Sequence, residues 1–297
     1  MVDIILRFSI MPLPYKKFTI FILSIVLITF SVYLFFYKDV IEENADKYAL
    51  HTDGVEIIKH VLDAQEINRL SQFCRENNYA DIKRELLQNG KLQNIIQTKL
   101  GSQYLFQDYI WIIKKSVVHT CHRDNNGDFF NKNQKHPSYT MLVYLEDMEK
   151  CLGIIPNSHK DVNSFNFNFT TPVVNLPCKK GDAIIFNANL IHVGCINKKE
   201  DNLRIQLKVT HQDDMKELGY YQNFNKILNK ENTVPLFLRK GQYHFSCTFP
   251  ILSNLTQNEN IRTARGSDNG VDIGWFQQAF SYLFYGNPKF YDLPNAF

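Results

Sequence analysis

The sequence predicts a mainly β chain with bracing helices, an α+β fold, preceded by one N-terminal transmembrane helix. Three observations lead to this prediction: residues 18–37 carry no charge, residues 64–99 show helical spacing of apolar side chains, and residues 104–211 contain short runs of β-branched and aromatic residues. A chain of 297 residues can bury a large core, so one main domain with additions is expected.

The N-terminal region predicts a single-pass membrane protein. Residues 1–17 form a short basic tail, and the uncharged run 18–37 that follows would span about 30 Å as a helix, the thickness of the hydrocarbon core of a bilayer. This length argues against a cleaved signal peptide, and the absence of a polar face argues against a buried core helix. Lysine and arginine are slightly more frequent before the run than after it, which favours a cytosolic N-terminus with the main domain on the lumenal side. Asn168 and Asn254 lie in N-x-T sequons, which would be usable N-glycosylation sites in a lumenal domain.

The remaining elements follow in a helix-then-strand order. Residues 38–53 are predicted to be a charged stalk, 55–61 a first strand, and 64–74 a helix capped by Asp63. Further amphipathic helix is expected across 80–99, and strands are expected at 104–119, 138–146, 173–176, 183–186 and 203–209. This order fits a double-stranded β-helix, the jelly-roll or cupin-like architecture, with helices bracing one sheet.

Three residues in two parts of the strand-rich half predict a metal site. His122 and Asp124 are separated by one residue at the end of a strand, so their side chains point to the same side. His192, which follows the strand at 183–186, would complete a set of two histidines and one carboxylate. This set is the facial triad of non-haem Fe(II) oxygenases, which leaves three coordination positions open.

The strand at 203–209 predicts a second part of the same site. Leu203, Ile205, Leu207 and Val209 alternate with Arg204, Gln206 and Lys208. A guanidinium that faces the cavity can hold a dicarboxylate through paired, charge-assisted hydrogen bonds. The implied cosubstrate is 2-oxoglutarate, and Arg204 and Gln206 are the predicted cofactor-binding residues.

Several motifs occur in the order found in one known family. They are His122-x-Asp124, residues 144–147 (YLED), residues 153–160 (GIIPNSHK), Gly181-Asp182, His192-x-Gly194, Asn197 and Arg204. Over roughly residues 55–211 the chain thereby resembles the phytanoyl-CoA dioxygenase (PhyH) family of Fe(II)/2-oxoglutarate oxygenases. Two positions depart from the family pattern: Asn157 replaces a usual Gly, and Gly194 stands where relatives often carry a hydroxyl residue.

The resemblance implies an enzyme with a dioxygenase domain at 54–211 and a C-terminal extension at 212–297 that packs on it. Its metal would be Fe(II), its cosubstrates 2-oxoglutarate and dioxygen, and ascorbate an optional reductant. The catalytic residues would be His122, Asp124 and His192. Because halogenating relatives replace the carboxylate, the intact Asp124 implies hydroxylation, with release of succinate and CO2. The membrane anchor suggests a small-molecule, lipid or lumenal protein or glycan substrate.

Other interpretations of the sequence carry less weight. A non-catalytic membrane-anchored protein that retains the fold remains the alternative function. His119, His136 and His159 are rival ligands, while the kinase-like and calcium-loop-like letters around Asp124 lack the other residues those motifs need. The net charge of +3 is scattered, so no nucleic-acid partner is expected. The six cysteines contain no C-x-x-C pair, and their even number permits disulfides without requiring them. Cys121 and Cys195, which lie beside the predicted ligands, are expected to be small buried apolar residues.

Overall fold

The computed structural model describes most of the chain between residues 13 and 249. The described ranges are 13–36, 40–42, 44–115, 120–124, 133–160, 171–197, 201–229 and 234–249, with 275, 278, 279, 282 and 283. They fall into two compact units, Met1–Lys38 and Asp39–Phe297. His119, both sequons and most of the polar segment after Asp124 lie outside the described residues.

The first unit contains one helix, α1, at Leu13–Phe36. Its side chains are described at 17–32, where apolar residues are exposed, among them Phe21 at 61% and Leu27 at 63%. Across the described residues, no helix is long and apolar enough to cross a membrane. The predicted transmembrane helix at 18–37 is therefore not supported, and the side chains of 33–37 lie outside the described part.

The second unit is built on two β-sheets. Its strands are β1 (Val40–Ile41), β2 (Val55–Ile58), β3 (Tyr104–Phe106), β4 (Tyr109–Lys115), β5 (Tyr139–Tyr144), β6 (Met148–Ile154), β7 (Val174–Cys178), β8 (Ala183–Asn187), β9 (His192–Val193), β10 (Asp201–His211) and β11 (Phe224–Leu228). The small sheet has the order β1-β7-β6-β9. The large sheet has the order β11-β4-β10-β5-β8-β2, with β3 added alongside β10.

Within the described stretch from residue 40 to residue 249, the α-helices beside the sheets are α2 (Leu50–Asp53), α3 (Ala64–Glu76), α4 (Tyr79–Leu87), α5 (Gly90–Leu100) and α6 (Leu236–Thr248). The predicted cap of α3 is confirmed, because the Asp63 carboxylate accepts from the backbone N–H groups of Gln65 and Glu66. The helix predicted across 80–99 is interrupted. The Asn89 side chain accepts from two backbone N–H groups and thereby starts α5 as a separate helix.

The large sheet has a different partner on each face. One face packs against α3, α4 and α5 through a core that includes Ile205, Leu207 and Val209 of β10, all fully buried. The opposite face packs on the small sheet through a second core that includes Leu142 and Phe186. This mixed, sheet-rich α+β arrangement is consistent with the predicted jelly-roll core.

Two strands outside residues 54–211 join the edges of the sheets, one from each end of the described second unit. Within the region predicted to be a stalk, 38–53, Val40 pairs with Val174 in parallel strands, and Tyr48 is buried in the core between the sheets. Beyond residue 211, β11 pairs in parallel with β4 along five residues. These additions satisfy backbone hydrogen bonds at sheet edges, which local periodicity in the sequence cannot reveal.

Candidate metal centre

Three predicted ligands come together between the sheets. His122 and His192 exchange backbone hydrogen bonds of 2.9 and 3.0 Å, so their side chains leave adjacent backbone segments on the same side. The Nε2 atoms of His122 and His192 lie 3.6 and 3.5 Å from the same Asp124 oxygen, Oδ1. All three ligand atoms lie within 4.8 Å of one another, which is the spacing of ligands around a single ion.

The two imidazoles are fixed in the form that a metal requires. The Nδ1 atom of His122 donates to the carbonyl of Thr120 at 2.8 Å, and that of His192 donates to the carbonyl of Leu190 at 3.0 Å. With the proton on Nδ1, each Nε2 keeps its lone pair for an ion. Burial, followed by the neighbouring His122, lowers the pKa of His192 and favours its neutral form.

The second oxygen of Asp124 is held by two buried side chains. Thr140 donates to Oδ2 at 2.6 Å and Lys208 donates to Oδ2 at 2.7 Å, while Lys208 also donates to the Thr140 hydroxyl at 2.8 Å. Burial by itself raises the pKa of the Asp124 carboxyl, but the positive charge of Lys208 is the largest opposing influence, and this pKa lies well below its usual value. The carboxylate therefore stays ionised and presents Oδ1 to the histidines.

The family turn at residues 153–160 supports the ligands through the backbone. The buried Arg123 guanidinium donates to the carbonyls of Ser158 at 3.1 Å and Asn189 at 2.6 Å. The hydroxyl of Ser158 accepts from the backbone N–H of Ile191 at 2.8 Å. Asn157 has φ +67°, so it adopts the left-handed conformation expected for a residue that replaces Gly. Ser158 thus joins the segments that carry all three ligands.

A disulfide fixes the residue before the first ligand. Cys121 is bonded to Cys247 of α6, and the Cys121 backbone N–H donates to the buried Ser246 hydroxyl at 3.0 Å. The expectation that Cys121 is a free apolar residue is therefore wrong. Its sequence neighbours gave no sign of a partner 126 residues away. The C-terminal region thereby supports the metal centre.

The ligands open into a cavity of about 80 Å³. Arg204 and Gln206 line it together with the triad, and both are buried. Arg204 Nη1 donates to the side chain and to the carbonyl of Asn202, and Gln206 Nε2 lies 3.5 Å from the Tyr109 hydroxyl. The side of β10 that carries Arg204 and Gln206 therefore points towards the metal centre, as the alternation of its residues predicts. Gly194, the second departure from the family pattern, also lines the cavity.

The structure adds lining residues to those that the sequence predicted. Lys208 shares the polar face of β10 but had been given no role. Tyr221, Phe224 and Leu228 enter the cavity wall from beyond residue 211. The Phe224 ring stacks on Tyr109 at 4.4 Å, and the Tyr221 hydroxyl donates to the Asp124 carbonyl at 3.3 Å. Only the alternation of β10 could have indicated Lys208, and no sequence signal pointed to the others.

The described rival histidines lie elsewhere. His159 packs beneath Gly54, where an added Cβ would lie 2.4 Å from its Nδ1. His136 stacks on His211 with 3.6 Å between ring centroids. Neither belongs to the triad of His122, Asp124 and His192.

The donor set fits Fe(II). Two imidazole nitrogens and one carboxylate oxygen converge, and the low pKa of the Asp124 carboxyl keeps that oxygen charged. Such an N2O set on one side of an ion suits a non-haem iron that keeps positions free for other ligands. Arg204 in the same cavity is the group suited to the distal carboxylate of 2-oxoglutarate.

Comparisons with known proteins agree with this chemistry. The profile of the phytanoyl-CoA dioxygenase (PhyH) family matches residues 42–204, more than half of the chain. No curated protein sequence gives a match.

Solved structures with a similar fold include the epimerase SnoN in complex with Fe3+, alpha ketoglutarate and nogalamycin RO, at 16% identity and a TM-score of 0.44, over 55% of this chain and 80% of that chain. HygX from Streptomyces hygroscopicus with nickel, 2-oxoglutarate and hygromycin B bound is 14% identical with a TM-score of 0.42, over 57% of this chain and 88% of that chain. EvdO2 from Micromonospora carbonacea var. aurantiaca complexed with 2-oxoglutarate is 13% identical with a TM-score of 0.45, over 58% and 92%. At this level of likeness they say nothing about the substrate of this chain.

Proposed function

This chain belongs to the phytanoyl-CoA dioxygenase family, and from that premise we propose that it is an Fe(II)/2-oxoglutarate-dependent dioxygenase that hydroxylates its substrate. The observation that carries the proposal is the approach of two histidine Nε2 atoms to one Asp124 oxygen at 3.6 and 3.5 Å. When bound, Fe(II) and 2-oxoglutarate would supply the oxidising chemistry, in which dioxygen, 2-oxoglutarate and substrate give hydroxylated product, succinate and CO2.

The chain's own residues position the reactants and exclude water. His122, Asp124 and His192 would hold the ion, and Thr140 with Lys208 keeps one carboxylate oxygen occupied so that the other faces the histidines. Arg204 would fix the distal carboxylate of 2-oxoglutarate, with Gln206 beside it in the cavity wall. The apolar and aromatic remainder of the wall, which includes Phe224, lowers the local dielectric around these charges.

The proposal is tested by the visible charge-transfer band that Fe(II) and bound 2-oxoglutarate produce together. Full-length protein in detergent, loaded anaerobically, is expected to show the band, and His192→Ala is expected to lose it. His51→Ala, which changes an exposed histidine on α2, is the matched control and should keep it. A folded wild-type protein without the band would contradict the proposal and favour a non-catalytic protein that retains the fold.

The role of Arg204 is tested by titrating 2-oxoglutarate against the same band. Loss of a bidentate, charge-assisted pair costs about 1.5–3 kcal/mol, or roughly 10- to 100-fold in affinity. Arg204→Met should therefore raise the half-saturating concentration by at least about tenfold while the Fe(II) affinity stays unchanged. An unaltered titration would assign the cosubstrate to another residue.

Membrane attachment through residues 18–37, with the domain on the lumenal side, is a further part of the proposal and rests on the sequence. The expected partners are the bilayer and a small-molecule, lipid or lumenal protein or glycan substrate. Wild-type protein should stay with membranes after alkaline extraction, and Ile25→Lys should reduce the membrane-bound fraction, because a central lysine opposes insertion by about 3 kcal/mol.

Deglycosylation should shift the mass of the wild type but not that of Asn168→Gln/Asn254→Gln if the domain is lumenal.

A further inference from the structure

A second group of metal-binding side chains lies at the end of β10, separate from the triad. It consists of His211, the last residue of β10, Asp213 in the 3-10 turn that follows, and His136, which comes just before β5. One ligand atom from each lies within 4.8 Å of the others. The group shares no residue with His122, Asp124 and His192.

The separations within this group suit a small divalent ion. His136 Nε2 lies 3.5 Å from Asp213 Oδ2, and His211 Nδ1 lies 3.7 Å from the same oxygen. Zinc bonds of about 2.0–2.1 Å in a tetrahedron place neighbouring ligands about 3.4 Å apart. Small movements would therefore bring both nitrogens and the oxygen into bonding range of one ion.

The backbone around His136 is already held in place. Asp214, fully buried, accepts from the N–H of Lys135 at 2.9 Å and from the N–H of His136 at 2.7 Å. On the other side of the group, the Tyr104 and His211 rings make a T-shaped contact with 5.1 Å between centroids. The backbone that carries His136 would therefore need little ordering when an ion binds.

The stacking of the two imidazoles shows what would have to move. Their centroids lie 3.6 Å apart with planes inclined by 28°, so the rings must tilt apart to direct both nitrogen lone pairs at one point. The His136 side chain is 39% exposed, which leaves room for that tilt. The contact that His211 Nδ1 would give up is a backbone hydrogen bond from Asp213 of 3.3 Å, at the long end of the range.

We propose that His136, His211 and Asp213 bind a divalent transition-metal ion of the zinc type, with water in the remaining position. The donor set of two imidazoles and one carboxylate is typical of zinc. The ion would join the chain before β5 to the end of β10, two strands that already pair at Tyr139 and Val209. The ion would tie the two segments together at this end of the β5–β10 pair, whose Thr140 and Lys208 hold Asp124.

The test uses full-length protein in which the first site has been impaired by His192→Ala. Equilibrium dialysis with Zn²⁺ should show one bound ion per chain. Adding His136→Ala should weaken that binding by at least about tenfold, whereas adding His51→Ala should leave it unchanged. His136 is the preferred position because its partly exposed side chain can be removed with little effect on folding.

Cobalt provides a second readout that does not depend on activity. Co²⁺ bound to His192→Ala should give the intense visible bands of a tetrahedral site, and His192→Ala/His136→Ala should lack them. Two results would overturn the inference: no Zn²⁺ bound by His192→Ala, or equal binding by His192→Ala and His192→Ala/His136→Ala. Neither result bears on the proposed dioxygenase activity, which depends on His192 and is measured on the wild type.

Discussion

Replacing Lys208 by methionine isolates the contribution of the charge that holds Asp124. The ammonium lies 2.7 Å from Oδ2, and the two side chains are 5% and 12% exposed. At an effective dielectric constant of 20 this separation corresponds to about 6 kcal/mol of gross attraction, part of which desolvation offsets. Removal of one partner of such a pair typically costs about 3–5 kcal/mol, because the remaining charge is left buried.

A bound ion should restore part of that loss. In Lys208→Met the unpaired Asp124 carboxylate gains its compensating charge from the metal, so the variant should bind metal more tightly than the wild type. A tenfold gain in affinity corresponds to about 1.4 kcal/mol of additional stabilisation at saturation. The deficit in unfolding free energy should therefore be about 3–5 kcal/mol in EDTA and smaller by at least about 1 kcal/mol in excess Mn²⁺, an ion that tolerates the same ligands as Fe(II).

Urea unfolding in EDTA and in Mn²⁺ measures both quantities. Lys216→Met, which removes an exposed lysine outside the site, is the control and should behave like the wild type in both conditions. Two outcomes would refute the reasoning. A Lys208→Met variant as stable as the wild type in EDTA would mean that the ammonium does not stabilise Asp124. An equal deficit with and without Mn²⁺ would mean that the metal does not replace the missing charge.

Three further predictions concern the supporting structure. Cys247→Ser removes a disulfide between residues 126 apart and should lower the unfolding free energy by about 3–5 kcal/mol. A reductant should destabilise the wild type by a similar amount and leave the variant unaffected, and an unchanged urea midpoint would contradict this prediction. Burial lowers the pKa of His244 to about 4 from 6.5, so the unfolded chain binds more protons between these values and the unfolding free energy decreases as the pH falls. From pH 7 to 5 the wild type should lose about 1–2 kcal/mol more than His244→Gln, whereas equal losses would show that His244 does not titrate as described. Gly54→Ala should lower the unfolding free energy by about 2–3 kcal/mol, because φ is +82° and the new Cβ would lie 2.4 Å from the His159 ring. Adding His159→Ala should restore the part of this free energy that the clash removes, and no recovery would assign the whole loss to backbone strain.

The sequence predicts best the features that rest on local pattern. The alternation along β10 placed Arg204 and Gln206 on the face opposite Ile205 and Leu207, and the structure has that arrangement because one register satisfies the core on one side and the cavity on the other. The Asp63 cap and the left-handed Asn157 follow equally from local chemistry.

Features that depend on distant pairing were not predictable. Six cysteines allow many pairings, so nothing in the chain identified Cys247 as the partner of Cys121. Phe224 reaches the cavity only because β11 pairs in parallel with β4, more than one hundred residues earlier. A lysine in a strand is most often solvated, so the partnership of Lys208 with Asp124 could be found only once the fold was known.

The disulfide also has a consequence for the order in which the protein is made. Synthesis proceeds from the N-terminus, so Cys121 and the neighbouring His122 emerge long before Cys247, which lies 126 residues later. Until that point the first iron ligand belongs to a segment without its covalent attachment. The bond beside His122 therefore cannot form until α6 has been synthesised, and a chain truncated before α6 would carry His122, Asp124 and His192 without the covalent link that holds the segment of His122.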